Sequence, residues 1–294
     1  MSDTTASLRR KIRSAGELRS VVRTMKAMAA SNIGQYEQSV RALADYTRSV
    51  ELGLSICFRK SAPAALTGIK VRPEDRRIGA VVFGSDQGLV GRFNDVVVDH
   101  ALKALAALPG KPRLWPVGER VQARLADTGL PVLSLFAVPN SVKAITPLVG
   151  QILLAGETRY SRGDITELYL FHNRPTSGSG YEPVQQRLLP LDEIWRREVA
   201  ESSWPTKNLP EVMGGEASTL RALVREYLFV SLFRACAESL ASENASRLAA
   251  MQRADKNINE LLDNLNGIFH RLRQSGIDEE LFDVIAGFEA PPEP

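Results

Sequence analysis

With 294 residues, the chain is long enough to form one large domain or two modest ones. Hydrophobic residues make up 44% of it and charged residues 24%, a balance that is ordinary for a globular protein and excludes wholesale disorder. The formal net charge of +3 is too small to indicate a nucleic-acid partner by itself. The two cysteines, Cys57 and Cys236, are far apart, which argues against a zinc site or a disulfide framework and suits a reducing compartment.

The sequence predicts no direct membrane insertion, because no stretch approaches ~18 consecutive apolar residues. Residues 1–5 lack the apolar core of a secretory signal. The bases that follow would suit a mitochondrial transit peptide, but the helical pattern that contains them continues past any plausible cleavage point. We therefore favour a structural segment at this end of the sequence.

From Leu8 to Arg59 the sequence has no proline, and its apolar residues recur in steps of three and four. This spacing is typical of a narrow stripe along an α-helix, as in a coiled-coil seam. At about 1.5 Å per residue, roughly 50 residues would form a helix of about 75 Å, which cannot bury its stripe without a partner. The stripe consists of Leu8, Ile12, Ala15, Leu18, Val22, Met25, Ala29, Tyr36, Val40, Leu43, Thr47, Val50 and Leu54.

The C-terminal part of the sequence, residues 211–285, offers such a partner, because it too lacks proline and shows a heptad pattern. We expect the two ends to pair as an antiparallel coiled coil, with Met25 and Ala29 facing the part of the second stripe that contains Ile268 and Leu272. Two separate amphipathic helices packed on a central domain remain an alternative from spacing alone. The second stripe consists of Met251, Ala254, Ile258, Leu261, Leu265, Ile268 and Leu272.

The middle of the chain alternates short apolar runs with helical patterns, which favours an α/β domain of Rossmann-like type with a parallel or mixed sheet. Strands are predicted at 77–83, 113–118, 131–137, 165–172 and 184–189, and helices at 93–107, 119–126 and 144–160. We therefore predict a coiled-coil helix at 1–60, a central α/β domain at 61–208, a second coiled-coil helix at 209–290 and a flexible tail at 291–294. The proline-containing segments 61–74 and 192–208 are the predicted joints.

No catalytic, cofactor-binding or metal-binding residue is predicted. The glycines that follow the first predicted strand, within residues 84–94, have neither the spacing of a dinucleotide fingerprint nor that of a P-loop. The three histidines, His100, His172 and His270, have no nucleophile or metal ligand at motif spacing. A nucleotide-binding protein of Rossmann type with helical arms is therefore only an alternative hypothesis.

The N-terminal stripe is bordered by an excess of bases, since residues 8–41 contain eight bases and two acids. Such a surface could contact nucleic acid, an anionic membrane or an acidic protein. Aromatic residues do not alternate with these bases, which argues against nucleic acid. A solvated helix face and an acidic protein partner both remain open, as does a coiled-coil adaptor or DNA-bridging protein.

Several motifs resemble the gamma subunit of F-type ATP synthases, in the expected order over almost the whole chain. The N-terminal motif is Thr24-Met25-Lys26-Ala27-Met28-Ala29-Ala30-Ser31. The central turn, Ser85-Asp86-Gln87-Gly88-Leu89-Val90-Gly91-Arg92-Phe93-Asn94, is similar to the Asp-Arg-Gly-Leu-Cys-Gly-Gly turn of that family. The C-terminal motifs are Glu243-x3-Arg247-Leu248-x2-Met251 and Arg273-Gln274-Ser275-x-Ile277.

The sequence also departs from the family pattern. Gln87, Val90 and Arg92 replace the usual Arg, Cys and Gly of the central turn, and His270 stands where Asn is usual. These differences suggest a diverged branch, such as the alternative ATPases of some bacteria, in which the coupling ion can be sodium instead of the proton.

The resemblance implies a non-catalytic rotor subunit in the central stalk of an ATP synthase at the cytoplasmic face of a bacterial inner membrane. Its expected partners are the alpha and beta subunits, an epsilon subunit and the membrane c-ring, with no nucleic acid. The resemblance also assigns partner contacts to seven residues. Arg23 and Lys26 would face an acidic loop of a beta subunit, and Met25 belongs to the same N-terminal motif. Asp86 and Gln87 belong to the central turn, and Arg273 and Gln274 would engage a beta-subunit loop.

Overall fold

The computed structural model describes residues 4–60, 75–110, 112–176, 180–208, 210–212 and 215–289. The predicted tail at 291–294 and the predicted joint at 61–74 lie outside these ranges. Helices at both ends flank an α/β domain, which confirms the predicted fold class. In the part of the chain described, no helix is long and apolar enough to cross a membrane.

The N-terminal helical stretch is interrupted once, so that α1 spans Thr5–Ala42 and α2 spans Ala44–Lys60. Hydroxyl groups on both sides of the break bond to backbone carbonyls of their own helix: Ser39 Oγ donates to the Tyr36 oxygen at 2.7 Å, and Thr47 Oγ1 to the Leu43 oxygen at 2.9 Å. Such back-bonding competes with the helical ladder and bends helices. The prediction of one continuous helix through residue 59 was therefore wrong at Leu43.

The central sheet has four strands in the order β2-β1-β3-β4. Strand β1 (Ile78–Phe83) pairs in parallel with β2 (Arg113–Val117) and β3 (Glu167–Pro175), whereas β4 (Tyr181–Leu189) is antiparallel to β3. Three helices connect the strands: α3 (Phe93–Ala106), α4 (Glu119–Ala126) and α5 (Ile145–Ser161). The long C-terminal helix, α7, spans Glu216–Glu289.

Alternate residues of the strands face the two layers of helices. Val81 and Leu170 belong to the core on the side of α5 and α7, and Val82 and Phe171 belong to the core on the side of α3 and α4. All six residues of β1 are buried, which explains why its sequence is apolar without alternation.

Two predictions for the central segment need correction. Residues 131–137 do not form a strand but touch the sheet through isolated bridges at Val132 and Phe136, and Leu135 in the same run is 39% exposed. The predicted joint at 192–208 contains a helix, α6 (Glu193–Glu201), whose first turn is capped by the Asp192 carboxylate. An apolar run in a sequence does not reveal whether the segment pairs fully with a strand or only through isolated bridges. A helix of nine residues is too short to give a clear periodic pattern.

The chain divides into two compact units, residues 1–29 with 248–294 and residues 30–247. In the first unit, α1 and α7 lie against each other, and α1 buries four residues at a strict spacing of seven: Leu8, Ala15, Val22 and Ala29. From α7, Met251 and Leu262 are buried. The predicted antiparallel pairing is therefore present in this unit.

The predicted register of this pairing is wrong. Arg19 Nη1 donates to Asn259 Oδ1 at 3.3 Å, and Lys26 Nζ donates to Asp255 Oδ2 at 3.1 Å. Met25 thus lies near the level of Asp255, more than three helical turns from Ile268. The side chains on the seam also differ from those predicted, because Leu18, Leu261 and Leu272 are 58%, 49% and 37% exposed.

Candidate interaction surfaces

The turn after β1 is built on a buried hydrogen-bond network. The backbone N–H of Ser85 donates to Asn94 Oδ1 at 3.0 Å, and Asn94 Nδ2 donates to Ser85 Oγ at 2.9 Å. The Ser85 hydroxyl in turn donates to the Gln87 carbonyl at 2.9 Å. These bonds tie Ser85 and Asn94, the two ends of the turn, to each other.

Glycines in and beside this turn serve close packing. A Cβ atom at Gly84 would lie 2.4 Å from the Cβ of Val121, and a Cβ at Gly118, where φ is 117°, would lie 2.7 Å from the Ser85 carbonyl oxygen. These two glycines therefore let the end of β1 and the start of α4 pack more closely than residues with a Cβ atom would allow. This geometry offers no support for the nucleotide-binding alternative.

Asp86 and Gln87 have different surroundings, although they are neighbours. The Asp86 carboxylate accepts two backbone N–H groups at 2.9 Å, from Glu119 at the start of α4 and from Val138. It thus fastens two segments to the turn. Gln87 is exposed, as is Arg92, and Leu89 is 60% exposed with a φ of 62°. The part of the turn that a partner could reach is therefore Gln87, Leu89 and Arg92.

Arg23 and Lys26 lie side by side in the first unit and share one carboxylate. Arg23 Nε is 3.5 Å and Lys26 Nζ is 3.1 Å from the oxygens of Asp255 on α7. The hydrogen bond from Lys26, together with the charges of both bases, lowers the pKa of Asp255. Both bases remain partly exposed, and Met25 between them is half-buried. To contact an acidic partner, these bases must therefore either keep their pairs with Asp255 and bind the partner as well, or give up Asp255 for a carboxylate of the partner.

Arg273 and Gln274 are both exposed on the surface of α7. The helix continues beyond them with a set of exposed apolar side chains, which would be unusual on a surface that meets only water. This set consists of Ile277, Leu281, Phe282, Val284 and Ile285, each at least 46% exposed.

A cleft of about 1270 Å³ opens in the second unit, beside the first residues of β3. Four arginines and four acids line it, so that the lining is electrically neutral. Two of the arginines already pair with acids, Arg76 with Glu167 at 3.2 Å and Arg187 with Asp192 at 3.6 Å. The cleft therefore has no surplus of charge that would select an anionic nucleotide.

The sequence analysis missed a group of buried polar side chains at the end of β3. His172 lies 2.7 Å from Glu238 of α7, and Asn173 Nδ2 donates to the Phe93 carbonyl at 2.9 Å. A detectable signal was present, because Glu238, Ser242 and Ser246 follow one another at intervals of four in a run that is otherwise rich in alanine. Within the described ranges, no group of three or more potential metal ligands lies together.

Comparison with known proteins gives a consistent result. The model of the family described as ATP synthase matches residues 4–290. An ATP synthase gamma chain of Sorangium cellulosum is 28% identical, over 97% of this chain and 98% of its own length. A gamma chain of Glaesserella parasuis is 26% identical, over 96% and 98%.

Solved structures show the same fold. The central stalk and c-ring of the Tetrahymena thermophila mitochondrial ATP synthase contain a chain with a TM-score of 0.56 and 18% identity, over 80% of this chain and 99% of that one. The rotor of the Euglena gracilis mitochondrial ATP synthase contains one with a TM-score of 0.60 and 14% identity, over 93% and 98%.

Proposed function

Because this chain belongs to the family of ATP synthase gamma chains, a non-catalytic subunit of that enzyme, we propose that it rotates in the central stalk and couples ion flow through a membrane ring to ATP synthesis or hydrolysis. The observation that supports this proposal best is that the family model matches residues 4–290, a range that includes the helices at both ends and the α/β domain. In this function, segments 1–60 and 209–290 act as the shaft and segment 61–208 as the foot.

The proposed partners are the alpha and beta subunits around the shaft and the epsilon subunit and c-ring at the foot. The exposed apolar side chains of α7 after Gln274 support a partner that covers them, because large exposed apolar surfaces are uncommon on proteins that act alone. We place the complex at the cytoplasmic face of a bacterial inner membrane, with this chain as a peripheral subunit.

The partner composition can be tested by purifying the tagged chain from its native membrane in mild detergent. We expect alpha, beta, epsilon and c subunits to co-purify, with ATP hydrolysis that is lost when the beta subunit is removed. Recovery of the chain without these subunits would contradict the proposal. In vesicles, dyes for pH and for sodium would identify the coupling ion from the ATP-driven signal.

Arg23 and Lys26 provide a finer test of how the shaft contacts the alpha and beta subunits. Reversal of both charges should lower the number of ions pumped per ATP, because an acidic loop of a beta subunit would then be repelled. Reversal also breaks the pairs with Asp255, so Asp255→Asn is the matched control. Pumping that falls equally in both variants would assign the effect to the pairing of α1 with α7 and not to a beta subunit.

A further inference from the structure

Three polar side chains of α7 make hydrogen bonds to the sheet and to the turn after β1. They occupy positions i, i+4 and i+8, so they lie along one side of the helix within about 80° and span about 12 Å. The contacts are Glu238 Oε2 to His172 Nε2 at 2.7 Å, Ser242 Oγ to the Asn173 carbonyl at 3.0 Å, and Ser246 Oγ to the Val90 carbonyl at 2.6 Å.

The surface around these contacts is made of small side chains. Ala235 and Ala241 are 1% and 2% exposed, and each lies about 60° from Glu238 around the helix axis. Small apolar side chains interlock weakly, and apolar contact by itself has no direction, so it tolerates neighbouring registers. Hydrogen bonds are directional, and a buried group that loses its partner raises the free energy of the displaced arrangement.

A displacement of α7 would break all three contacts together. A rotation by one residue, about 100°, would move every one of these side chains away from its partner. A slip by one helical turn, about 5.4 Å, would bring Ser242 or Arg234 to the place of Glu238, so that His172 would face no carboxylate. Glu238 makes such a displacement most unfavourable, because its buried carboxylate would lose His172 and keep only the bond from Arg234 Nε at 2.9 Å, which belongs to the same helix. Burial would raise the pKa of Glu238, but the bonds from His172 and Arg234 outweigh burial and lower it, so the carboxylate is charged at neutral pH.

We propose that Glu238, Ser242 and Ser246 form a register clamp, which fixes α7 in one rotation and one axial position on the sheet. The clamp rests on the proposed rotor function, because torque can pass between a helix and the sheet beside it only if the helix does not slip. Each of the three is a positioning residue. Their hydrogen bonds restrict motion, and the apolar core around them stabilises the contact.

The clamp is tested in the complete complex with S242A/S246A, which removes two hydroxyl groups and leaves the surrounding core. Spin labels at the exposed positions 182 and 221, both in the second unit, report the position of α7 relative to β4 by pulsed electron resonance. We expect a second distance population about 5 Å from the first, with the slipped register about tenfold more populated than in the wild type. We also expect roughly twofold fewer ions pumped per ATP, because complexes in the slipped register would hydrolyse ATP without moving ions.

Ser239 supplies the matched control. It is 2% exposed and lies in the same stretch of α7, and its hydroxyl has no hydrogen-bond partner among the residues described. S239A is therefore expected to keep the single distance and the wild-type pumping ratio. E238Q, which keeps an acceptor for His172, should also keep the single distance, whereas E238L should not.

One distance population and a wild-type pumping ratio in S242A/S246A would overturn the clamp. The same result in E238L would overturn it independently, should the serine variant assemble poorly. If the wild-type complex pumps no ions, the rotor function fails instead, and the distance measurement still decides whether the clamp exists.

Discussion

Asp86 illustrates how a residue of a recognised motif can serve its own chain. Its two carboxylate oxygens accept the backbone N–H groups of Glu119 and Val138, so about half of the acceptor capacity of the side chain is already used within its own chain. Gln87, the next residue, is exposed and makes its contact with Ser85 only through its backbone carbonyl. Sequence motifs do not separate these two functions, because both produce a polar residue in a turn.

Replacement of Asp86 by Ala is expected to lower the free energy of unfolding by about 1–3 kcal/mol, since two backbone donors lose their acceptor. Gln87→Ala, at the neighbouring exposed position, should change it by less than about 0.5 kcal/mol. Urea denaturation followed by circular dichroism measures both. Equal effects of the two substitutions would show that Asp86 does not fasten the turn.

Two buried glutamates of α7 should give stability opposite dependences on pH. Burial raises the pKa of Glu243 above its ordinary value of 4.5, although Arg247 at 2.6 Å opposes this, whereas the bonds from His172 and Arg234 outweigh burial and lower the pKa of Glu238. For Glu243, stability is therefore present below pH 4.5 and is lost as the pH rises through the folded value. For Glu238, stability is present above pH 4.5 and is lost as the pH falls through the folded value.

The two variants Glu243→Gln and Glu238→Gln separate these effects when unfolding free energies are measured between pH 3 and pH 7. The stability of Glu243→Gln relative to the wild type should increase as the pH rises, and that of Glu238→Gln should increase as the pH falls. A difference from the wild type that stays constant with pH in either variant would contradict the assignment for that residue.

At the level of elements, the sheet was easier to predict than the helix pair. The strands β1, β2 and β3 could be located because a buried parallel strand is a short apolar run between turns. The register of α1 against α7 could not, because a heptad pattern repeats every seven residues and is compatible with several registers. The choice among them depends on pairs such as Lys26 with Asp255, whose members are separated by more than 200 residues in the sequence.

The seam between α1 and α7 can be tested with two adjacent leucines. Leu262 is 7% exposed and Leu261 is 49% exposed. Leu262→Ala should lower the free energy of unfolding by about 2–5 kcal/mol through the cavity that it leaves, and Leu261→Ala by less than about 1 kcal/mol. Thermal melting followed at 222 nm compares them, and a larger loss for Leu261→Ala would place the seam on the other side of α7.

At the level of the whole molecule, the sequence was sufficient to recognise the family, since its motifs are distributed from the N-terminal helix to the C-terminal one. It was not sufficient to distinguish residues that contact partners from residues that contact each other. Arg23 and Lys26 pair with Asp255 within the chain, whereas Arg273 and Gln274 are exposed on α7. The second pair is therefore the better candidate for a contact with a beta subunit.

Arg273→Ala/Gln274→Ala is expected to slow ATP-driven rotation of the reconstituted complex by about 10- to 150-fold, if the arginine donates a charge-assisted hydrogen bond worth about 1.5–3 kcal/mol. Helix content should not change, because both side chains point into solvent. Asp263→Ala/Asn264→Ala, an adjacent pair exposed on the same helix before Arg273, serves as the control. Single-molecule rotation decides the outcome, and wild-type speed and torque in the first variant would exclude the contact.

The separation of the two paired helices along the chain also affects synthesis on the ribosome. Arg19 and its partner Asn259 are 240 residues apart, so at about 5–20 residues per second α1 is complete roughly 10–50 s before the facing part of α7 exists. During this interval Leu8, Ala15, Val22 and Ala29 form an apolar stripe that the nascent chain cannot yet cover. Transiently exposed apolar surface of this kind favours aggregation, so we expect the yield of the folded protein to rise when a chaperone covers the N-terminal helix during synthesis.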